Sequence, residues 1–219
     1  LKASPNSQQA VGCEGAPSAP SWAAAWAAPI ALLRSDRVRW VLAVTTAEGA
    51  LAFGLLAFIP SLLIERFGLS ITAAGSVLLL YGVGGLVYTR GARFWVRKLG
   101  ERGLALTGGL LLGGAMGLLA AAADWRLALP ACFFAGVGFY MLHSTLQVQA
   151  TQMAPAQRGT AVSLFSGMLF FGQAIGVLAM AWAFDHGRSQ LMFAAAGGAA
   201  FLLALLVRRG VARGDEPAR

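Results

Sequence analysis

Residues Val41 to Ile64 read VLAVTTAEGALAFGLLAFIPSLLI, an apolar run with one ionisable group, Glu48. At a helical rise of about 1.5 Å per residue, such a run is long enough to cross a hydrocarbon layer of about 30 Å. Five more blocks of similar length, Ile71 to Thr89, Gly103 to Ala123, Leu127 to Ala150, Gly159 to Phe184 and Gln190 to Val207, contain no Asp, Glu, Lys or Arg. A soluble chain would place charge every few residues on a wet helical face, and a membrane barrel would alternate polar and apolar positions over about ten residues. With 58% hydrophobic and 12% charged residues, the chain is expected to be an all-α polytopic membrane protein. Its six transmembrane helices are predicted at residues 41–64, 71–89, 103–123, 127–150, 159–184 and 190–207.

The net charge of +8 suggests a nucleic-acid ligand until its distribution is considered. Lys2, Arg34, Arg37, Arg39, Arg90, Arg93, Arg97, Lys98, Arg102, Arg158, Arg208, Arg209, Arg213 and Arg219 all fall on one side of a six-span threading. Only Arg66, Arg126 and Arg188 fall on the other. Basic residues mark the cytoplasmic side, so the pattern predicts a multi-pass inner (plasma) membrane protein with both termini cytoplasmic and no nucleic-acid partner. Residues 38–208 form the expected bundle and 209–219 a cytoplasmic tail. Residues 1–37, rich in Ala, Pro and Ser, read as a flexible cytoplasmic segment. Within it, residues 21–33 form either a short interfacial helix carrying Trp22 and Trp26 or part of the linker. The chain opens on Leu1 without an initiator Met, which suggests a fragment with sequence missing upstream. Cys13 in the tail and Cys132 inside a helix suit neither a disulfide nor a metal site, and no cofactor is expected.

Between the second and third spans runs Arg93-Phe94-Trp95-Val96-Arg97-Lys98-Leu99-Gly100-Glu101-Arg102. It resembles a degenerate copy of the loop signature G-x-L-x-D-R-x-G-R-R of the major facilitator superfamily (MFS), with Arg93, Arg97 and Glu101 departing from the pattern. A second likeness runs from His143-Ser144-Thr145-Leu146-Gln147 through Gln149 and Gln152-Met153-Ala154-Pro155 to Arg158-Gly159-Thr160-Ala161 and Gly172-Gln173-Ala174-Ile175-Gly176. That stretch resembles the tenth and eleventh helices of the sugar and drug efflux permeases of the same family. The resemblance implies the C-terminal six-helix half of an MFS fold, two inverted three-helix repeats, with an N-terminal six-helix half missing. It also implies a cytoplasmic gate loop of Arg93, Arg97, Lys98, Gly100 and Arg102. The alternative is that these cations only fix orientation.

Glu48 costs about 3 kcal/mol if ionised at mid-helix, so it should face a cavity or a partner. It lies some 10 Å in from the cytoplasmic start of its helix, and His143 lies at a similar depth in the fourth span. The family likeness makes both helices cavity-lining, so Glu48 and His143 are the candidate proton-coupling pair. Against this stands a bonded, neutral Glu48 satisfied by Thr45 or a backbone carbonyl, with His143 merely joining helices. Gly136, Tyr140, His143 and Gln147 share one helical stripe, and Ser163, Ser166, Phe170 and Gln173 share another. With Thr45 and Tyr81 they are the candidate substrate-cavity residues, although such stripes also serve as interhelical glue worth roughly 0.6 kcal/mol per contact. Tyr88 is expected in the aromatic belt. Gly109, Gly113 and Gly117, and Gly172 with Gly176, are expected to let helices approach closely. Gly82, Gly84, Gly85 and Pro60 are candidates for bending.

An intramembrane protease of the rhomboid kind would need a G-x-S-G serine in the fourth span and a His in the sixth. Ser166-Gly167 sits instead in the fifth, and His186 lies in an outer turn. The sequence therefore predicts transport rather than catalysis: proton-coupled efflux of a small organic solute by alternating access. The rival reading is a non-transporting assembly protein or a truncated remnant.

Overall fold

The computed structural model describes residue 27 and residues 29–214, and every regular element among them is helical. The elements are α1 (Asp36–Leu56), α2 (Ile59–Phe67), α3 (Ile71–Ala121), α4 (Ala128–Gln152), α5 (Arg158–Asp185) and α6 (Ser189–Gly214), with 3₁₀ turns at Trp125–Leu127 and Pro155–Gln157. Among the described residues, five helical stretches are long and apolar enough to cross a membrane. Residues 29–32 are helical. Trp22, Trp26 and the rest of the expected interfacial helix before residue 27 lie outside the described residues, as does Cys13.

The predicted first span is interrupted. Helix α1 ends at Leu56 and α2 begins at Ile59, with Pro60 in its first turn where a missing N–H costs nothing. Helix α2 then stops at Gly68, whose φ of 65° closes it in the left-handed conformation. The Ser70 hydroxyl caps the next helix, accepting from the Ala73 N–H at 3.2 Å.

Helix α3 is 51 residues long, about 75 Å if it were straight. It is not straight, because Gly100 adopts φ 63° and ψ 175° and divides it into limbs at 71–99 and 101–121. The contacts fix their directions. Gly84 abuts Phe133 and Val137 while Gly85 lies under Tyr140, so the first limb runs parallel to α4. Gly108 abuts Leu142 and Gly138 abuts Leu112, so the second limb runs antiparallel to α4. The chain therefore doubles back at the basic joint. The guanidinium of Arg66 holds the far end of the second limb by donating to the Ala120 carbonyl at 2.9 Å.

Small residues set the closest seams, as expected where lipid is as apolar as the side chains and tight contact drives association. A Cβ added at Gly172 would collide with the Thr46 carbonyl, and one at Gly176 with that of Ala50, so α5 lies directly on α1 and parallel to it. Gly136 meets the Tyr81 carbonyl in the same way across the first limb and α4. The expected Gly109, Gly113 and Gly117 stripe divides: Gly109 meets Ala204, Gly113 meets the Gly197 carbonyl, and Gly117 turns its backbone N toward Gly197 but has open space where a Cβ would point. Gly82 is also open, whereas Gly84 and Gly85 are packing positions. Larger side chains close the two ends of the bundle. Ile59, Leu62, Leu63, Met116 and Phe193 share one buried cluster, and Val38, Leu42, Leu146, Phe165 and Val207 share the other.

Candidate functional site

Helix α1 brings Glu48 into the protein rather than out toward lipid, and its side chain is fully buried. Its Oε2 lies 3.0 Å from Nδ1 of His143 on α4. The seven residues from Val41 to Glu48 and the six from His143 to Gln149 carry the two groups to one level, because α1 and α4 run antiparallel. Arg37 meets Gln149 at the near end of the same seam, and the Phe53 and Phe139 rings meet beyond it, edge to face at 4.8 Å.

Aromatic rings enclose the pair. Phe139 stacks on the His143 imidazole at 5.0 Å between centroids and 19° between planes, and Phe165 of α5 approaches from another side at 5.5 Å. Apolar walls of this kind lower the local dielectric, in which a contact between carboxyl and imidazole is stronger. Tyr81 stands beyond Phe139, with centroids 6.0 Å apart. The Tyr81 hydroxyl and Glu48 Oε1 are buried without a hydrogen bond in the structure. Thr45 is also buried, but its hydroxyl donates to its own backbone at Val41 at 2.8 Å and not to Glu48.

His143 is 18% exposed, enough to link the buried carboxyl to a groove of about 570 Å³. Tyr140, His143 and Gln147 line this groove together with Tyr88, Ser144 and Glu101. The α4 stripe thus converges on one hollow, except that Gly136 is spent in packing against Tyr81. The second stripe does not join it. Ser163 and Phe170 are exposed on α5, Ser166 and Gln173 are half-buried there, and none of the four lines the groove. Tyr81 lies outside the groove as well. The basic joint is exposed at Arg93, Arg97, Lys98, Gly100 and Arg102. Arg93, Arg97 and Lys98 line a separate hollow with Phe94.

Two interactions at this end have no counterpart in the sequence reading. Tyr88, expected in the belt, is buried, and its hydroxyl lies 2.6 Å from that of Ser144. Gln149 is buried and bridges two charges: it accepts from Arg37 at 2.7 Å and donates to Glu101 at 2.9 Å. This amide ties the start of α1 and the residue after the Gly100 break to the end of α4. The sequence carries no signal for this bridge, because Arg37 and Glu101 lie 112 and 48 residues from Gln149.

A family model described as Major Facilitator Superfamily matches residues 4–158 and 92–218. No curated protein matches the chain.

Proposed function

We propose, since the chain belongs to the Major Facilitator Superfamily, that its Glu48 and His143 couple proton movement to the passage of a small organic solute. The apolar helices and the family make it a multi-pass membrane protein, and membrane transport of a solute is what its family does. The observation that carries the coupling is the 3.0 Å contact between a fully buried carboxyl and an imidazole that reaches a groove. A proton entering through His143 can pass to Glu48 across that contact, and a rearrangement of α1 against α4 separates the two. The carboxyl then takes up and releases the proton as the cavity opens to one side of the membrane and then the other, which is alternating access with a proton as the coupled ion.

We read α3 as two spans, which with α1 and α2 as the first makes six. A 51-residue helix is more than twice as long as a bilayer core needs, and its limbs are antiparallel. The six form inverted repeats at 36–121 and 128–214. In support, the first helix of each repeat packs parallel to the second helix of the other, through Gly172 and Gly176 in one case and Gly84 and Gly136 in the other. On this reading the basic joints are cytoplasmic in an inner membrane, a second six-helix half completes the cavity, and Arg93, Arg97, Lys98, Gly100 and Arg102 belong to the inner gate. Efflux is the direction that the likeness to sugar and drug permeases favours.

The test uses the intact permease in proteoliposomes, with labelled sugars and cationic dyes as probes. A pH gradient should drive accumulation of a transported probe, and Glu48→Gln should lower it at least tenfold while leaving solute–solute exchange in place. Equal gradient-driven accumulation by the variant would overturn proton coupling through Glu48.

A further inference from the structure

The first limb of α3 has one face turned away from the bundle, and its chemistry changes along its length. Leu79, Val83, Leu86 and Val87 are exposed on that face, at 70%, 46%, 51% and 49%. One turn on, the same face presents Arg90, then Arg93 with Phe94, then Arg97 with Lys98. The opposite face, with Ala74, Val77, Tyr81, Gly84 and Tyr88, is buried. Arg93, Phe94, Arg97 and Lys98 border an open surface hollow of about 510 Å³. It is separate from the groove beside His143, which touches this limb through Tyr88, Thr89, Ala92 and Val96.

No carboxylate pairs with Arg93, Arg97 or Lys98 among the described residues. The acid nearest in sequence, Glu101, accepts from Gln149. The Lys98 ammonium instead lies over the Phe94 ring, 5.6 Å from its centroid, which keeps both beside the opening.

We propose that this hollow binds the phosphate headgroup of an anionic phospholipid, whose acyl chains lie along Val87, Val83 and Leu79. A free phosphate would satisfy the cations but would have no use for the apolar track leading to them. A lipid uses both, with its charge at the interface and its chains in the hydrocarbon. The proposal rests on the membrane threading given above and not on proton coupling.

The intact protein, purified in detergent, is titrated with phosphatidylglycerol or phosphatidylcholine, and retained lipid is read by native mass spectrometry. Phosphatidylglycerol should be retained at least tenfold better. Replacing two cations together, Arg97→Gln with Lys98→Gln, should weaken its retention roughly tenfold, while Arg97→Lys should keep it. Equal retention of the two lipids, or an unchanged double variant, overturns the proposal, and so does displacement of the lipid by glycerol phosphate, which would assign the site to soluble anions. A photoreactive benzoylphenylalanine in place of Phe94 gives a readout that spares the cations. Crosslinks to lipid support the proposal, and crosslinks only to protein show that another polypeptide surface covers the face. Lipid retention is measured without transport, so its failure stays distinct from a failure of proton coupling.

Discussion

Two of the neighbours of helix α1 hold it in opposite ways. Against α5 its backbone touches backbone at Thr46 and Ala50, through Gly172 and Gly176. Against α4 the links are side chains: Glu48 to His143, Arg37 to Gln149, and Phe53 edge-on to Phe139. A glycine seam has one good geometry, because a small slide drives carbonyls into Cα atoms. A polar seam has several, since side chains change rotamer and exchange partners while the helices stay intact. The contrast assigns rigidity to the pairing of α1 with α5 and mobility to that of α1 with α4. The pair proposed for proton coupling thus lies on the seam able to open.

The largest expected effect breaks the rigid side. Gly172→Val places a branched side chain against the Thr46 carbonyl, where nothing flexible can yield. We expect a loss of at least about 3 kcal/mol, enough to abolish a folded, monodisperse protein in detergent chromatography. A normal elution profile and melting temperature would mean that α1 and α5 are not locked and that the contrast between the seams is wrong.

The two seams were unequally readable in the sequence. Gly172 and Gly176 announced a close approach by their spacing, but not its partner, because a glycine stripe looks the same whichever helix lies on it. Gly117 shows the limit, since it continues the Gly109 and Gly113 spacing yet faces open space. The contact between Glu48 and His143 was legible for a physical reason: a carboxyl buried in hydrocarbon needs a partner, and counting residues from the helix ends put one at its depth. Gln149 was not, because an uncharged amide leaves no mark on hydropathy and its two partners are far off in the chain. The α5 residues Ser163, Ser166, Phe170 and Gln173 share a stripe, but periodicity shows which residues share a face and never what that face meets. The interruption between Leu56 and Ile59 was announced by Pro60 as a bend but not as a break, because Ala57 and Phe58 are as apolar as the helices they separate.

A middle-sized effect tests the polar seam near its basic end. Gln149→Leu keeps the volume roughly constant but leaves Arg37 and Glu101 without the amide between them. The expected cost is about 1–2 kcal/mol in detergent unfolding, the range for half-buried polar groups that lose a partner. Combined with Arg37→Gln, the two losses should fall short of additivity by about 1 kcal/mol, since both remove the same bond. Strict additivity would show that Arg37 and Gln149 act independently and that this end of the seam is not a single latch.

The smallest effect is also the one whose sign is most informative. Gly113 and Gly117 sit one turn apart on the second limb of α3, yet a Cβ at Gly113 would lie 2.6 Å from the Gly197 carbonyl, while one at Gly117 would meet nothing within 4 Å. Gly113→Ala should therefore push α6 away and destabilise the protein. Gly117→Ala should be neutral or stabilising by up to about 1 kcal/mol, because alanine restricts the unfolded chain and favours helix. Melting temperatures of the two variants in the same detergent should move in opposite directions or differ clearly in size. If Gly117→Ala lowers the melting temperature as much as Gly113→Ala does, a surface outside these six helices packs on Gly117. The second limb would then be gripped on a third face, beyond its close seams with α4 at Gly108 and with α6 at Gly109 and Gly113.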